Sequence, residues 1–241
     1  MATNEAPRPT LLLVHGAWHG PWCWERLESA LISDGWATRT VALPSAATSD
    51  APTNQPLAGM HADARAVRES LEAIDGPVVV VGHSYGGIPV TQAVADAPNV
   101  SHAVYLAAYQ LDVGESLYGY HGAPEPEHAT GVIQPAEGSA AAAAFYADVS
   151  EEEAARAVRR LVPQSVRSFS DRVTKAGWRA VPSTYIVCEQ DQALPSEEQE
   201  KLAVRAHAVH RLQSSHSPFL SMPSTLAALL AYIAHGSRPT P

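Results

Sequence analysis

The sequence predicts an α/β protein: a mostly parallel sheet flanked by helices, with a helical segment inserted before the last two strands. Three observations carry this. Short apolar runs alternate with amphipathic helical patterns in the order β, α, β, α, β, α over residues 10–97, which forces parallel strands and right-handed crossovers. One of those runs is four consecutive valines, residues 78–81, bounded by Gly76-Pro77 and by a glycine-rich turn, as befits a strand buried on both faces. The chain of 241 residues, 46% hydrophobic and 17% charged, suits one domain with an insertion better than two independent domains.

Taken in order, Thr10–Val14 reads as a strand that runs into His15-Gly16-Ala17-Trp18-His19-Gly20. Trp22, Trp24, Leu27 and Leu31 follow at helical spacing, and Gly35 ends that helix as a C′ glycine does. Residues 37–43 alternate like a strand, and residues 44–56, rich in Pro, Ser, Thr and Asp, read as a loop. Met60, Ala64, Val67, Leu71 and Ile74 make one helix face; Asp63 and Glu69 fall off it and are expected to be solvated. After the valines, residues 88–97 read as a helix and residues 103–108 as another buried strand.

From Tyr109 to Gly177 no clean strand is visible. Loops rich in Gly and Pro (residues 118–127), an alanine run (140–144) and one strong helix occupy it. Ser150 and Glu153 have capping-box spacing at the start of that helix, Glu151 to Glu153 read as solvated, and Arg159 and Arg160 suit its C-terminal end. The sheet resumes at residues 183–187, Ser196 and Gln199 form a second capping-box pattern, Ala208–Leu212 is the last strand, and residues 223–234 are the closing helix. The expected organisation is a tail (1–9), a first core part (10–108), a helical cap (109–180), a second core part (181–235) and a tail (236–241).

The chemistry is concentrated at Gly82-His83-Ser84-Tyr85-Gly86, a G-x-S-x-G pattern between a buried strand and a helix. That context makes it a nucleophile elbow, a turn that presents a serine at a sheet edge. A serine hydroxyl is a poor nucleophile at neutral pH and needs a base, which a third group must orient. Asp191 lies in the loop after residues 183–187, and His216 in the loop after Ala208–Leu212, so all three would meet at the carboxyl ends of parallel strands. Glu189 and Asp112 are rivals for the acid; Asp191 sits further into its loop, ahead of Pro195 and a helix, and is preferred. One oxyanion-hole amide would come from the His15–Gly20 loop and one from the residue after the serine.

Composition narrows the partners. A net charge of −9 without a Lys/Arg cluster argues against nucleic acid and anionic membranes. The first ten residues carry neither the basic nor the apolar region of a signal peptide, and no apolar run is long enough to span a bilayer. Cys23 and Cys188 sit in apolar contexts and suit reduced, buried thiols, so a cytoplasmic protein is expected. Of the eleven histidines, His15 and His83 flank the serine site and suit structural roles. His19, His61, His102, His121, His128, His207, His210 and His235 lack metal-site spacing and are mostly expected at the surface. No cofactor or metal is called for.

The segments LLLVHGAWHGPWCWERL, VVVVGHSYGG, TYIVCEQDQALP and SSHSPFLSMP resemble the α/β-hydrolase subfamily of plant methylesterases and hydroxynitrile lyases, including the salicylic acid-binding methylesterase, and their bacterial esterase relatives. The resemblance spans both core parts but not the cap. It implies a triad of Ser84, Asp191 and His216 and an oxyanion hole from the amides of Ala17 and Tyr85. The lyases carry a threonine where this chain has Gly16, and a lysine where it has Ser217. Without that lysine no fixed cation holds a departing cyanide, so hydrolysis of a small-molecule ester is favoured. Rival readings are another reaction of the same triad (lyase, thioesterase, lactonase, metabolite tailoring) and a non-catalytic receptor on the same fold. Trp18, Tyr85, Tyr109, Phe145, Trp178 and Phe219 are the aromatics suited to line the pocket, with Trp18 assigned to substrate contact. Relatives of this kind often pair as homodimers; the sequence does not decide that.

Overall fold

The valine run occupies the middle of the sheet. In the computed structural model, which describes residues 7–46, 57–126 and 128–237, the chain forms strand β1 (Thr10–Val14), a short 3-10 turn (Pro21–Trp24), helix α1 (Glu25–Ser33) and strand β2 (Thr38–Val41). It continues as α2 (Met60–Glu72), β3 (Val78–His83), α3 (Gly87–Val94) and β4 (Val100–Leu106). Between β4 and the next sheet strand come α4 (Leu117–Tyr120), β5 (Val132–Ile133), α5 (Gly138–Phe145), α6 (Glu151–Val158), β6 (Gln164–Ser165) and α7 (Val166–Ser170). The chain closes with β7 (Ser183–Cys188), α8 (Ser196–Ala203), β8 (Ala208–Leu212), α9 (Pro218–Ser221) and α10 (Pro223–Gly236).

The six-stranded sheet has the order β2-β1-β3-β4-β7-β8, and every pairing in it is parallel. Alternation along the strands feeds two cores. Leu12, Val14, Val78 and Val80 face α2, α3 and α8, while Leu11, Leu13, Val79 and Val81 face α1 and α10. Each of these eight side chains is fully buried, at about 1.5–3 kcal/mol apiece. A third, smaller cluster joins α5 to α6 through Ala141, Phe145, Ala154 and Ala157.

The chain starts at β1, steps out to β2, then crosses back to β3 on the other side of β1. The carboxyl ends of β1 and β3 therefore diverge at a switch point, where open α/β sheets place their sites. The register sets Val14 opposite Gly82, which brings the His15–Gly20 loop beside Ser84. At the other side Cys188 is opposite Leu212, so the loops carrying Asp191 and His216 leave the sheet together.

Several expectations need correction. The stretch expected to lack strands contains β5 and β6, a two-residue antiparallel pair. Neither capping box forms. Ser150 is the N-cap of α6 without a side-chain cap bond, and Glu153 pairs with Arg26 instead. Pro195 is the N-cap of α8, and Gln199 turns inward. Gly35 does close α1, with φ of +78° and its N–H on Ile32 O. The loop expected over 44–56 falls outside the described residues from 47 onward, as do Glu127 and parts of both tails. Among the described residues no helix is long and apolar enough to cross a membrane.

Candidate active site

Ser84 directly follows β3 in the left-handed region, with φ of +52°, a conformation that costs a non-glycine residue about 1–2 kcal/mol. The surrounding backbone holds it there. Its carbonyl accepts the Tyr109 N–H at 3.1 Å, from the loop after β4. The motif glycines are explained by close approach: a Cβ on Gly86 would lie 2.4 Å from His15 O, and one on Gly82 would lie 3.0 Å from Gly86 O. Strand and helix can meet only without side chains there.

His216 and Asp191 meet as the chain order predicts. His216 Nδ1 is 2.6 Å from Asp191 Oδ2, and both side chains are buried. The carboxylate also accepts the N–H groups of Ala193 (2.8 Å) and Leu194 (2.9 Å) and Nε2 of Gln199 (3.0 Å). With the Nδ1 proton donated to the carboxylate, Nε2 of His216 keeps a free lone pair. The rivals lie elsewhere: Glu189 sits 3.9 Å from Arg211, and Asp112 pairs with Arg179. Gln199 was missed as a site residue because its spacing from Ser196 suggested a helix cap.

The buried rings of His15, His19 and His83 stay neutral. Burial pushes His15 down to about 4 and His19 down to about 3, and lowers His83 well below its ordinary value. His15 donates from Nδ1 to Gly16 O and accepts the Leu43 N–H at Nε2. His83 donates to the His216 carbonyl at 2.9 Å, its ring 4.5 Å from the His216 ring. His19 is a correction: it is buried, donates to Ala17 O and accepts from Tyr146. Among the described residues, no cluster of three or more His, Cys, Asp or Glu could hold a metal.

Ser84 and His216 open on one cavity of about 510 Å³. Ala17 and Tyr85 line it beside the serine, and Trp18, Tyr109 and Phe145 line it as anticipated. Phe169, Tyr118, Leu117 and His121, from the segment between β4 and β7, extend the wall, and Gln192, Ala193 and Leu194 add to it from the loop after β7. Trp178 and Phe219 do not reach it: Phe219 packs under His83, and Trp178 donates to Leu111 O. Asp63 is the largest correction. It is fully buried rather than solvated, and accepts from Ser45 and, at 2.5 Å, from the Tyr85 hydroxyl.

A profile described as the alpha/beta hydrolase family matches residues 11–229. The chain belongs to the α/β-hydrolase family. Within it, the chain is 29% identical over 253 residues to the pheophorbidase of Raphanus sativus, covering 91% of each chain. It is 28% identical over 243 residues to the alpha/beta hydrolase nvfD of Aspergillus novofumigatus, covering 92% of this chain and 95% of that one. The crystal structure of the methylesterase MES16 from Arabidopsis superposes with a TM-score of 0.78 at 27% identity, covering 95% of this chain and 99% of that one. The resemblance to plant methylesterases therefore holds, and these relatives place the chain among the carboxylic ester hydrolases of the α/β-hydrolase family. The free cysteines, Cys23 and Cys188, are both buried.

Proposed function

We propose that the protein cleaves a small-molecule carboxylic ester through a Ser84–His216–Asp191 triad and an acyl-enzyme. The observation that carries this is the buried 2.6 Å contact between His216 and Asp191, with His216 and Ser84 on one cavity wall. Ser84 Oγ attacks the ester carbonyl as its proton passes to His216 Nε2; Asp191 holds the tautomer and steadies the imidazolium. The N–H groups of Ala17 and Tyr85 receive the oxyanion of the tetrahedral intermediate. Its collapse breaks the bond to the alkoxy oxygen, which takes the proton from His216 and leaves as the alcohol. Water, deprotonated by His216, then attacks the acyl carbon, and the acid leaves as Ser84 regains its proton.

The segment 109–180 acts as a cap whose aromatic and aliphatic side chains supply most of the wall away from the serine. That lining suits a bulky, largely apolar substrate. Cyanohydrin cleavage is disfavoured because Ser217 stands where the lyases carry a lysine, which leaves no fixed cation there for a departing cyanide. The two buried, unpaired thiols suit work in the cytoplasm. Ser84→Ala tests the reading. It should abolish turnover of a p-nitrophenyl ester and labelling by a fluorophosphonate, and a variant retaining most of its kcat would overturn it.

A further inference from the structure

Five buried polar groups that the triad does not use form one chain beneath the oxyanion site. It begins at Tyr85, the residue after the serine. The Tyr85 hydroxyl donates to Asp63 Oδ2 at 2.5 Å. Ser45 donates to the same carboxylate twice, through its N–H at 2.9 Å and through its hydroxyl. Ser45 Oγ in turn accepts from Gln164 Nε2 at 2.6 Å, and Gln164 Nε2 also reaches Ser168 Oγ at 2.8 Å. Gln164 Oε1 then accepts the backbone N–H of Trp18 at 3.3 Å. Asp63, Ser45, Gln164, Ser168 and Tyr85 are all essentially without solvent exposure.

The two ends of this chain are the two loops that must agree in spacing. Tyr85 supplies one proposed oxyanion amide, and Trp18 follows Ala17, which supplies the other. Neither loop rests in a relaxed conformation, since Ser84 and Trp18 both have positive φ (+52° and +62°). Trp18 is held by three bonds, all to residues between β4 and β7: Gln164 on its N–H, Val162 N–H on its carbonyl at 2.9 Å, and Ile133 O on its Nε1–H at 3.0 Å. A buried polar chain with every donor matched to an acceptor is stiff, and losing one member leaves the others unpaired.

We infer that Asp63 and Gln164 are positioning residues, which act through the Tyr85 hydroxyl and the Trp18 amide to fix the distance between the two oxyanion donors. This deepens the esterase reading and rests on it. Donors aimed at a developing oxyanion lose their value when displaced by a fraction of an ångström, because they must be in place before charge appears. The tie should therefore matter to the transition state and not to ground-state binding.

The test compares wild type, Tyr85→Phe, Gln164→Ala and Ser45→Ala, each checked for native near-UV circular dichroism. Two readouts are taken: p-nitrophenyl acetate kinetics, and inhibition by an aryl trifluoromethyl ketone against its methyl ketone counterpart. The fluorinated ketone forms a hemiketal oxyanion with the serine; the methyl ketone reports ground-state fit. Each single variant should lose roughly 10–100-fold in kcat with KM within about threefold. Affinity for the trifluoromethyl ketone should fall in proportion while that for the methyl ketone holds. The double variant Tyr85→Phe/Gln164→Ala should be no worse than about the poorer single, since both cut one chain. Folded variants with unchanged kcat, or with kcat losses that the trifluoromethyl ketone does not follow, would overturn the tie. Should one variant fail to fold, the other two still decide it. A wild type that neither hydrolyses the ester nor takes a fluorophosphonate would instead overturn the esterase reading itself.

Discussion

At the scale of single residues, the acid of the proposed triad has the best-defined surroundings. Asp191 gives its carboxylate four donors: two backbone N–H groups, Gln199 and His216. Asp191→Asn should keep that geometry yet present the wrong tautomer to His216, lowering kcat by ~10⁴, whereas Glu189→Gln should leave steady-state kinetics near wild type. Gln199 also spans Cys188 N (2.9 Å) and Leu194 O (2.7 Å), so it stiffens the whole acid loop. The placement of Ser84, Asp191 and His216 at one sheet edge was readable because each falls just after a recognisable strand. Asp63 was not. An acid off a helix's apolar stripe is ordinarily solvated, but here its partner Tyr85 arrives from the turn after β3, and no local pattern announces that.

At the scale of elements, the segment between β4 and β7 does more than roof the cavity. Gln164 grips the loop after β1, and Asp148, between α5 and α6, accepts the Ser215 N–H at 2.9 Å and its hydroxyl. Asp148→Ala should therefore loosen the His216 loop, raising amide exchange at Ser215 and costing about 1–3 kcal/mol in urea unfolding. Within this segment only α6 was read as a helix, while α4 fell partly in a stretch read as loop; at α6 and at α8, beyond the segment, the starts were misread. Ser150 and Ser196 have capping spacing, but Glu153 is drawn to Arg26 and Gln199 to Asp191, so tertiary partners outbid the local motif. Ser150→Ala should accordingly change stability by no more than ~0.5 kcal/mol, below the usual cost of removing a formed cap. The six strands of the parallel sheet, by contrast, were located within a few residues, because a parallel sheet covered on both faces favours apolar runs.

At the scale of the whole molecule, the buried imidazoles set the response to acid. His15 and His102 are lowered to about 4 and His19 to about 3, in each case mainly by burial. Unfolded, these rings take a proton near pH 6.5; folded, they resist it. The unfolded state thus binds more protons between about pH 6.5 and 4, and stability falls as pH drops through that window. Asp63 works the other way. Burial raises it to about 6, so its share is present at low pH and is lost as pH rises from about 4 to about 6. With His83, which burial also lowers, four rings outweigh one carboxylate, and the urea midpoint should decline on acidification below about pH 6.5; His102→Gln, at a site remote from the serine, should flatten the decline. A midpoint that rises over that range would contradict the assignment of neutral buried rings.

All these scales converge on Ser84, which the sheet presents, the glycines admit and His216 shares a wall with. The most direct measurement is the intact mass of the protein, acid-quenched during turnover of a p-nitrophenyl ester and followed by peptide mapping. The account predicts a single acyl adduct on Ser84, absent in Ser84→Ala and accumulating in His216→Ala only at a much reduced rate. An adduct on another residue, or undiminished turnover by Ser84→Ala, would contradict it.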